Sequence, residues 1–360
     1  MKKNLRNILA LSLGLMTTVA FAQDWNVDSR TRIDMSGADN DQFIGAQRAT
    51  VGTTWGGSDW AIHASTEVNY TLNGGTAAAL SVYEAYASTD LMGYASLTVG
   101  RQALEYGSGT IIGKNDWGTR NTRDGMTFGL NFDMADVTLG YAKIMSDGEV
   151  AGGTSMYFNA AKAEGDWNAN LLYGSDVETA NGEDGSGTDY MGLDLGYNMM
   201  GGALALNVSY NTVSNDDLGI DADMTVIGAT YSVNESLSIM GSQTTMGDQD
   251  IAYEGGNMGS GVDSWMTHGN IGFQGANDEM ITIGGNYEMG AFNLGFAMYT
   301  VTNDEYVNMD GSDYERNATE ISLGYTMSDN ASLSLKSVND DLGLNGDDYN
   351  FTYVTLHIGL

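Results

Sequence analysis

The chain has 360 residues and contains neither cysteine nor proline. Without Cys it has no disulfide scaffold, no thiol nucleophile, and no Cys-based zinc or iron–sulfur ligands. At the ordinary usage of about 5% a chain of this length would carry roughly 18 prolines. Proline-rich linkers, collagen and polyproline ligands are therefore excluded too. Basic residues are scarce, 14 Lys and Arg against 47 Asp and Glu, for a formal charge of −33. A nucleic-acid partner demands a basic footprint, which this balance lacks. Past the first two dozen residues no apolar run reaches the ~18 residues that a membrane helix needs.

Those first residues have a pattern of their own. Lys2, Lys3 and Arg6 precede an apolar stretch from Ile8 to Val19, and Ala20-Phe21-Ala22 forms an A-x-A site before Gln23. The segment 1–22 reads as a signal peptide, too short for a membrane anchor. The lack of a following Cys argues against a lipoprotein. Removing its three cations leaves 11 basic against 47 acidic residues, a net charge of −36. The remainder, 23–360, reads as one unit.

What is present is a period of two. Trp25, Val27, Ser29, Thr31, Ile33 and Met35 alternate with Asn26, Asp28, Arg30, Arg32 and Asp34; Trp60 to Tyr70 and Met126 to Met134 repeat the pattern. So do Leu204–Thr212, Ile281–Met289, Phe292–Thr300 and Ile321–Met327. Period two over eight or more residues describes strands with one apolar and one polar face. No stretch of comparable length has a helical period.

Connections separate a soluble sandwich from a membrane barrel. Short polar turns fall at Gly56–Asp59, Asp90–Gly93, Ala135–Asp136, Gly165–Asp166, Met199–Gly202, Asn234–Ser236, Gly290–Ala291 and Ser328–Ala331. Between them lie longer acidic segments such as Asp176–Thr188, Ser214–Asp223, Asn303–Asn317 and Asn339–Asp348. Eight short and nine long connections imply 18 antiparallel strands, an even number with both termini on the short-turn side. Sixteen is the alternative, since Thr245–Asn277 is long and leaves room for a hairpin at Trp265–Phe273. Trp55, Trp60, Phe132, Trp167, Tyr197, Tyr231, Tyr287, Phe292 and Tyr325 gather near the short turns, as an interfacial girdle would. The expected fold is all-β: a transmembrane β-barrel of a bacterial outer membrane, in contact with outer-membrane lipid. Tyr349–Leu360 alternates as a closing strand does, although barrels commonly end in an aromatic residue rather than Leu360.

A barrel of that size leaves a water-filled lumen, with selectivity set by wall charges and any loop folded inside. The expected role is passive passage of small hydrophilic solutes or ions. Arg30, Arg32, Arg48, Arg101, Lys114, Arg120 and Arg123 are seven of the 11 mature cations, all before residue 124. Arg30 and Arg32 share the inward parity of the first strand, and Arg48 sits on the neighbouring strand. Glu67 and Glu84 are candidate inward carboxylates on the next two strands. Arg101 shares parity with Leu97 and Val99, so it points inward only if a bulge near Gly100 resets the register. The competing reading of these cations is ion pairing with the abundant carboxylates.

The segment 105–124 carries Tyr106, Ile111, Ile112 and Trp117 among its charges. Apolar side chains on a long connection predict a loop folded into the lumen as a constriction. Gly100-Arg101-Gln102, Leu104, Tyr106-Gly107, Gly113, Trp117 and Arg123-Asp124-Gly125 resemble the alginate-export family of outer-membrane barrels. The resemblance implies an 18-stranded barrel passing anionic polysaccharide or other small solutes through an Arg-rich lumen, lined here by Arg101, Arg120 and Arg123. It covers roughly 26 residues, and Thr110 stands where that family often has a basic residue.

Other functions have thinner support. A barrel hydrolase would need a catalytic grouping, and the candidate is His268 beside Asp263 and Ser264 in one loop. No catalytic residue, metal ligand or cofactor is assigned, so the chain is not read as an enzyme. Asp310, Asp313 and Glu315, or Asp340, Asp341, Asp347 and Asp348, offer oxygen ligands for Ca²⁺ without EF-hand spacing. A non-conducting structural or adhesive barrel is the remaining alternative. A homo-oligomer is compatible with the sequence, and no strand stands out as a flattened apolar wall between protomers.

Overall fold

The computed structural model describes residues 23–35, 44–72, 78–113, 122–145, 152–180, 183–249, 275–307, 311–341 and 349–359. The leader read over 1–22 and the hairpin read at Trp265–Phe273 lie outside the described residues.

The described chain is almost wholly strand. The first third gives β1 (Gln23–Asp34), β2 (Ile44–Gly56), β3 (Trp60–Leu72), β4 (Ala79–Leu91), β5 (Ala95–Gln102) and β6 (Arg123–Asn131). The middle gives β7 (Asp136–Met145), β8 (Gly152–Glu164), β9 (Trp167–Ala180), β10 (Glu183–Met199), β11 (Leu204–Asn215) and β12 (Ile220–Ser232). The last third gives β13 (Leu237–Met246), β14 (Asp278–Met289), β15 (Phe292–Val307), β16 (Asp313–Ser328), β17 (Ala331–Asp340) and β18 (Tyr349–Gly359). Each strand pairs antiparallel with the next. β1 also pairs with β18, from Asp28 opposite Gly359 to Asp34 opposite Tyr353, which closes the ring. Closure leaves no sheet edge, so every strand finds a ladder partner on both sides.

All eight expected short turns join the expected strands. The strands run further than the alternation suggested. Within 176–188, read as a loop, β9 continues to Ala180 and β10 begins at Glu183; β15 likewise reaches Val307. Beyond the bilayer no apolar face is required, so polar residues extend the ladder there while the period-two signal vanishes.

The burial pattern is that of a soluble protein reversed. Ile281 and Ile283 face outward at 48% and 62% exposure, while Thr282 between them is buried. Leu294, Phe296 and Met298 are exposed in the same way, alternating on β15 with inward Asn293, Gly295 and Ala297. An apolar band round the outside, with Trp60, Phe132, Trp167, Tyr197, Tyr231, Tyr287, Phe292 and Tyr325 exposed at its short-turn end, is a lipid-facing surface with its aromatic girdle.

Candidate functional site: the charged wall and the infolded loop

Because β18 closes on β1, the two ends of the chain form one continuous inner wall. Arg30 on β1 lies opposite Arg48 on β2 and opposite His357 on β18. His357 Nε2 is 2.5 Å from Asp28 Oδ2. Arg48 reaches Asp28 at 3.7 Å through Nη2 and Glu67 at 3.8 Å through Nε. Asn69 donates to Glu67 at 2.6 Å and Thr50 donates to it at 3.4 Å. Glu67 is thus an inward carboxylate, sunk under its neighbours at 1% exposure rather than open to the lumen. The Arg32 guanidinium stacks 3.4 Å over the Tyr353 ring, a cation–π contact across the same seam.

The wall continues on both sides. On β17 and β16, Lys336 Nζ is 2.8 Å from Glu320 Oε1, and Arg316 Nε donates to Asp340 Oδ1 at 2.9 Å. On β3, His63 stacks on Tyr86 with ring centroids 4.9 Å apart, and Thr54 Oγ1 meets its Nδ1 at 2.8 Å. A register shift between Ala64 and Thr66 places Tyr83 and Glu84 of β4 together opposite Ser65. Glu84 then lies 3.8 Å from His63 Nε2 and accepts the Ala103 N–H at 3.0 Å. That bond holds the chain where it leaves β5 for the lumen. Charged side chains of both signs therefore line β16, β17, β1, β2, β3 and β4, with Tyr353 and His357 of β18 among them.

The opposite wall has other chemistry. Its inward positions on β8 to β15 are mainly Gly, Asn, Ser, Thr, Met and Tyr, and the segment after β5 packs against them. Tyr106 accepts from Gly109 N and donates its own N–H to Ile112 O, both at 3.0 Å, which folds the segment into a tight turn. Ser108 N donates to Asp194 Oδ2 at 2.9 Å, and Ser209 Oγ reaches Ser108 Oγ at 3.3 Å. Ile111 and Ile112 are buried in a cluster with Leu172, Tyr190, Val213 and Met224. Tyr106 packs on Tyr157 at 5.6 Å. Two glycines permit this fit. Gly107 has φ +58°, and a Cβ there would lie 1.8 Å from Asp194 Oδ2; a Cβ on Gly140 would strike the Tyr157 ring at 1.9 Å. Below the loop a cavity of about 850 Å³ is lined by Gly107, Ser108, Asn170, Asp194, Asn207 and Tyr299, among others. A second, of about 550 Å³, opens beside Asp28, Arg30, Arg48 and His357.

A closed 18-stranded ring with a loop pinned inside decides the fold. The fold is that of the outer-membrane Occ and Opd barrels. Acinetobacter baumannii OccAB4 superposes with a TM-score of 0.69 at 13% identity, Pseudomonas aeruginosa OccK8 (OprE) with 0.69 at 14%, and Pseudomonas aeruginosa OpdK with vanillate with 0.69 at 12%. Each comparison covers 94% of this chain and 98% of the other. No family model matches the sequence, and no curated protein matches it. These neighbours bear out the general part of the family resemblance, an outer-membrane barrel of 18 strands; they do not point to the alginate-export family in particular.

The positions singled out from sequence divide into three groups. Arg30, Arg32, Arg48, Glu67 and Glu84 lie together on the inner wall. Arg123 also faces inward but is turned to the loop side, where it donates to Ser155 Oγ at 3.0 Å. Arg101 requires a correction. The β4–β5 register runs without a shift from Leu91 opposite Ala95 to Ala85 opposite Arg101, and β5–β6 is equally continuous. Gly100, at φ +133°, resets nothing. Arg101 stays on the outer face with Leu97 and Val99, paired with Asp124 at 2.7 Å. Lys114 and Arg120 lie outside the described residues, as do His268, Asp263, Ser264, Asp310, Asp347 and Asp348. Asp340 is engaged by Arg316.

Sequence reasoning missed Asp28, Asp194, Arg316, Glu320, Lys336, Tyr353 and Asp340 as parts of the lumen. A parity signal was there, since Arg316 and Glu320 alternate with Asn317 and Ile321. What pointed attention elsewhere was the crowding of cations before residue 124.

Proposed function

We propose that the protein is a passive outer-membrane channel for small hydrophilic solutes carrying a carboxylate or other anionic group. Such a solute passes between the pinned loop and the wall bearing Arg30, Arg32 and Arg48. The observation that carries this reading is the two-sided lumen: charges of both signs on β16 to β4, and a face on β8 to β15 that is mainly Gly, Asn, Ser, Thr, Met and Tyr and holds the loop through Asp194. Carboxylates interspersed among the cations offset part of their attraction, so an anion is handed along rather than trapped. OpdK was solved with vanillate, and a small aromatic carboxylate suits a passage with cations on one side and aromatic and thioether groups on the other. The anionic carbohydrates implied by the sequence resemblance belong to the same charge class.

The test is conductance. Purified full-length protein in planar bilayers is expected to give stable stepwise currents, and a salt gradient then gives its ion preference. Silence under these conditions would support the competing structural or adhesive barrel and overturn the channel reading.

A further inference from the structure

The outer face is as unevenly charged as the inner one. At the long-loop ends of β10, β12, β14 and β16 the outward positions include Asp189, Asp221, Glu279 and Glu315. At the long-loop ends of β5 to β7 they are Arg101, Asp124 and Lys143, placed side by side by the registers Arg101–Asp124 and Asp124–Lys143. In a chain with so few cations, two of them stand on one outward row. Directly beneath lies the row Val99, Met126, Tyr141 and Met156. Val99, Tyr141 and Met156 are exposed at 46%, 38% and 58%. The charged row therefore sits at the upper border of the lipid-facing band, beside an aromatic residue of the kind that marks an interface.

The donors there are directed. Arg101 Nε and Nη2 donate to the two Asp124 oxygens at 2.7 Å each, and Nη1 donates to Val82 O at 3.3 Å. Three of the five guanidinium N–H bonds are used, leaving one on each Nη. Lys143 is exposed and makes no ion pair with any described residue. Adjacent strands are about 4.8 Å apart, so the two cations stand roughly 10 Å apart across the carboxylate that orients one of them.

We infer that this row is a binding site for a phosphate-bearing lipid of the outer leaflet. The phosphate takes the open guanidinium N–H groups and the Lys143 ammonium, and the acyl chains lie on Val99, Met126, Tyr141 and Met156. Charge complementarity and continuity with the lipid-facing band both favour a lipid over a soluble anion. Full-length protein in non-ionic detergent is incubated with diphosphorylated lipid A, with its dephosphorylated form, or with inorganic phosphate, and bound molecules are counted by native mass spectrometry. The phosphorylated lipid is expected to be retained in preference to the dephosphorylated one. Lys143→Gln, an exposed position whose loss leaves the ladder intact, is expected to lower that retention about fivefold, and Arg101→Gln with Lys143→Gln further. Equal retention of the two lipids, or retention unmoved by Lys143→Gln, would overturn the site. Displacement of the lipid by millimolar inorganic phosphate would overturn its assignment to a lipid.

Discussion

Replacing Arg30 and Arg32 together by Gln lowers the charge of the inner wall while leaving the Arg48–Glu67 pair in place, and removes the Arg32–Tyr353 stacking with it. The β1 ladders with β2 and β18 are made by the backbone and the loop packs on the opposite wall, so both remain in place. A unit charge about 5 Å from an ion in the aqueous lumen contributes roughly 0.8 kcal/mol. Screening at 0.15 M salt, with a Debye length of about 8 Å, reduces this to roughly 0.45 kcal/mol. Two charges give about 0.9 kcal/mol, of opposite sign for anions and cations, so their permeability ratio moves by about 1.8 kcal/mol, or roughly twentyfold towards cations. At 1 M salt the Debye length is about 3 Å and the same arithmetic leaves a change of roughly threefold. Reversal potentials in matched concentration gradients at the two ionic strengths measure both figures. A ratio that does not move at 0.15 M, or moves equally at both salts, would refute the placement of these two guanidinium groups beside the ion path.

Three further outcomes follow from the geometry. Arg48→Gln strands the buried Glu67 carboxylate and should cost about 3–5 kcal/mol in urea unfolding from lipid vesicles, much of which Arg48→Gln with Glu67→Gln restores; equal midpoints for the two variants would contradict the pairing. Gly107→Val drives a side chain into Asp194 and unpins the loop, so single-channel conductance should rise while circular dichroism keeps its strand signal; an unchanged conductance step would mean the loop does not constrict the passage. Ile283→Arg puts a charge on the lipid-facing surface and should destabilise the folded barrel by about 2–4 kcal/mol, falling towards 1 or less if this position lies near an interface. An unfolding midpoint in lipid vesicles equal to the parent's would contradict the outward assignment.

The architecture was legible because the bilayer demands it residue by residue. Trp25 to Met35 could alternate without a miss only if one face meets lipid and the other water, and Gly165-Asp166 or Gly290-Ala291 could be so short only between antiparallel neighbours. Strand ends were less legible: at Glu178 to Asp189 the ladder outlasts the membrane and the alternation stops. The charged wall was half readable. Arg30, Arg32 and Arg48 follow from parity, but their neighbours Lys336, Glu320 and Tyr353 are some 300 residues away in sequence and adjoin them only through ring closure. Arg101 shows the limit of a local resemblance. The motif implied an inward side chain, its parity implied an outward one, and an unbroken register favours the parity.

The pairing of β1 with β18 carries a consequence for biogenesis. Until the last strand meets the first, the nascent sheet holds half of its charged wall on each free margin, with Arg30 and Arg48 on one side and Lys336 and Glu320 on the other. Asp28 has no His357, and Arg32 has no Tyr353 to stack on. The charged wall is thus completed by the same event that removes the open edges. Closure of the ring and assembly of its inner charge pattern are a single step for this chain.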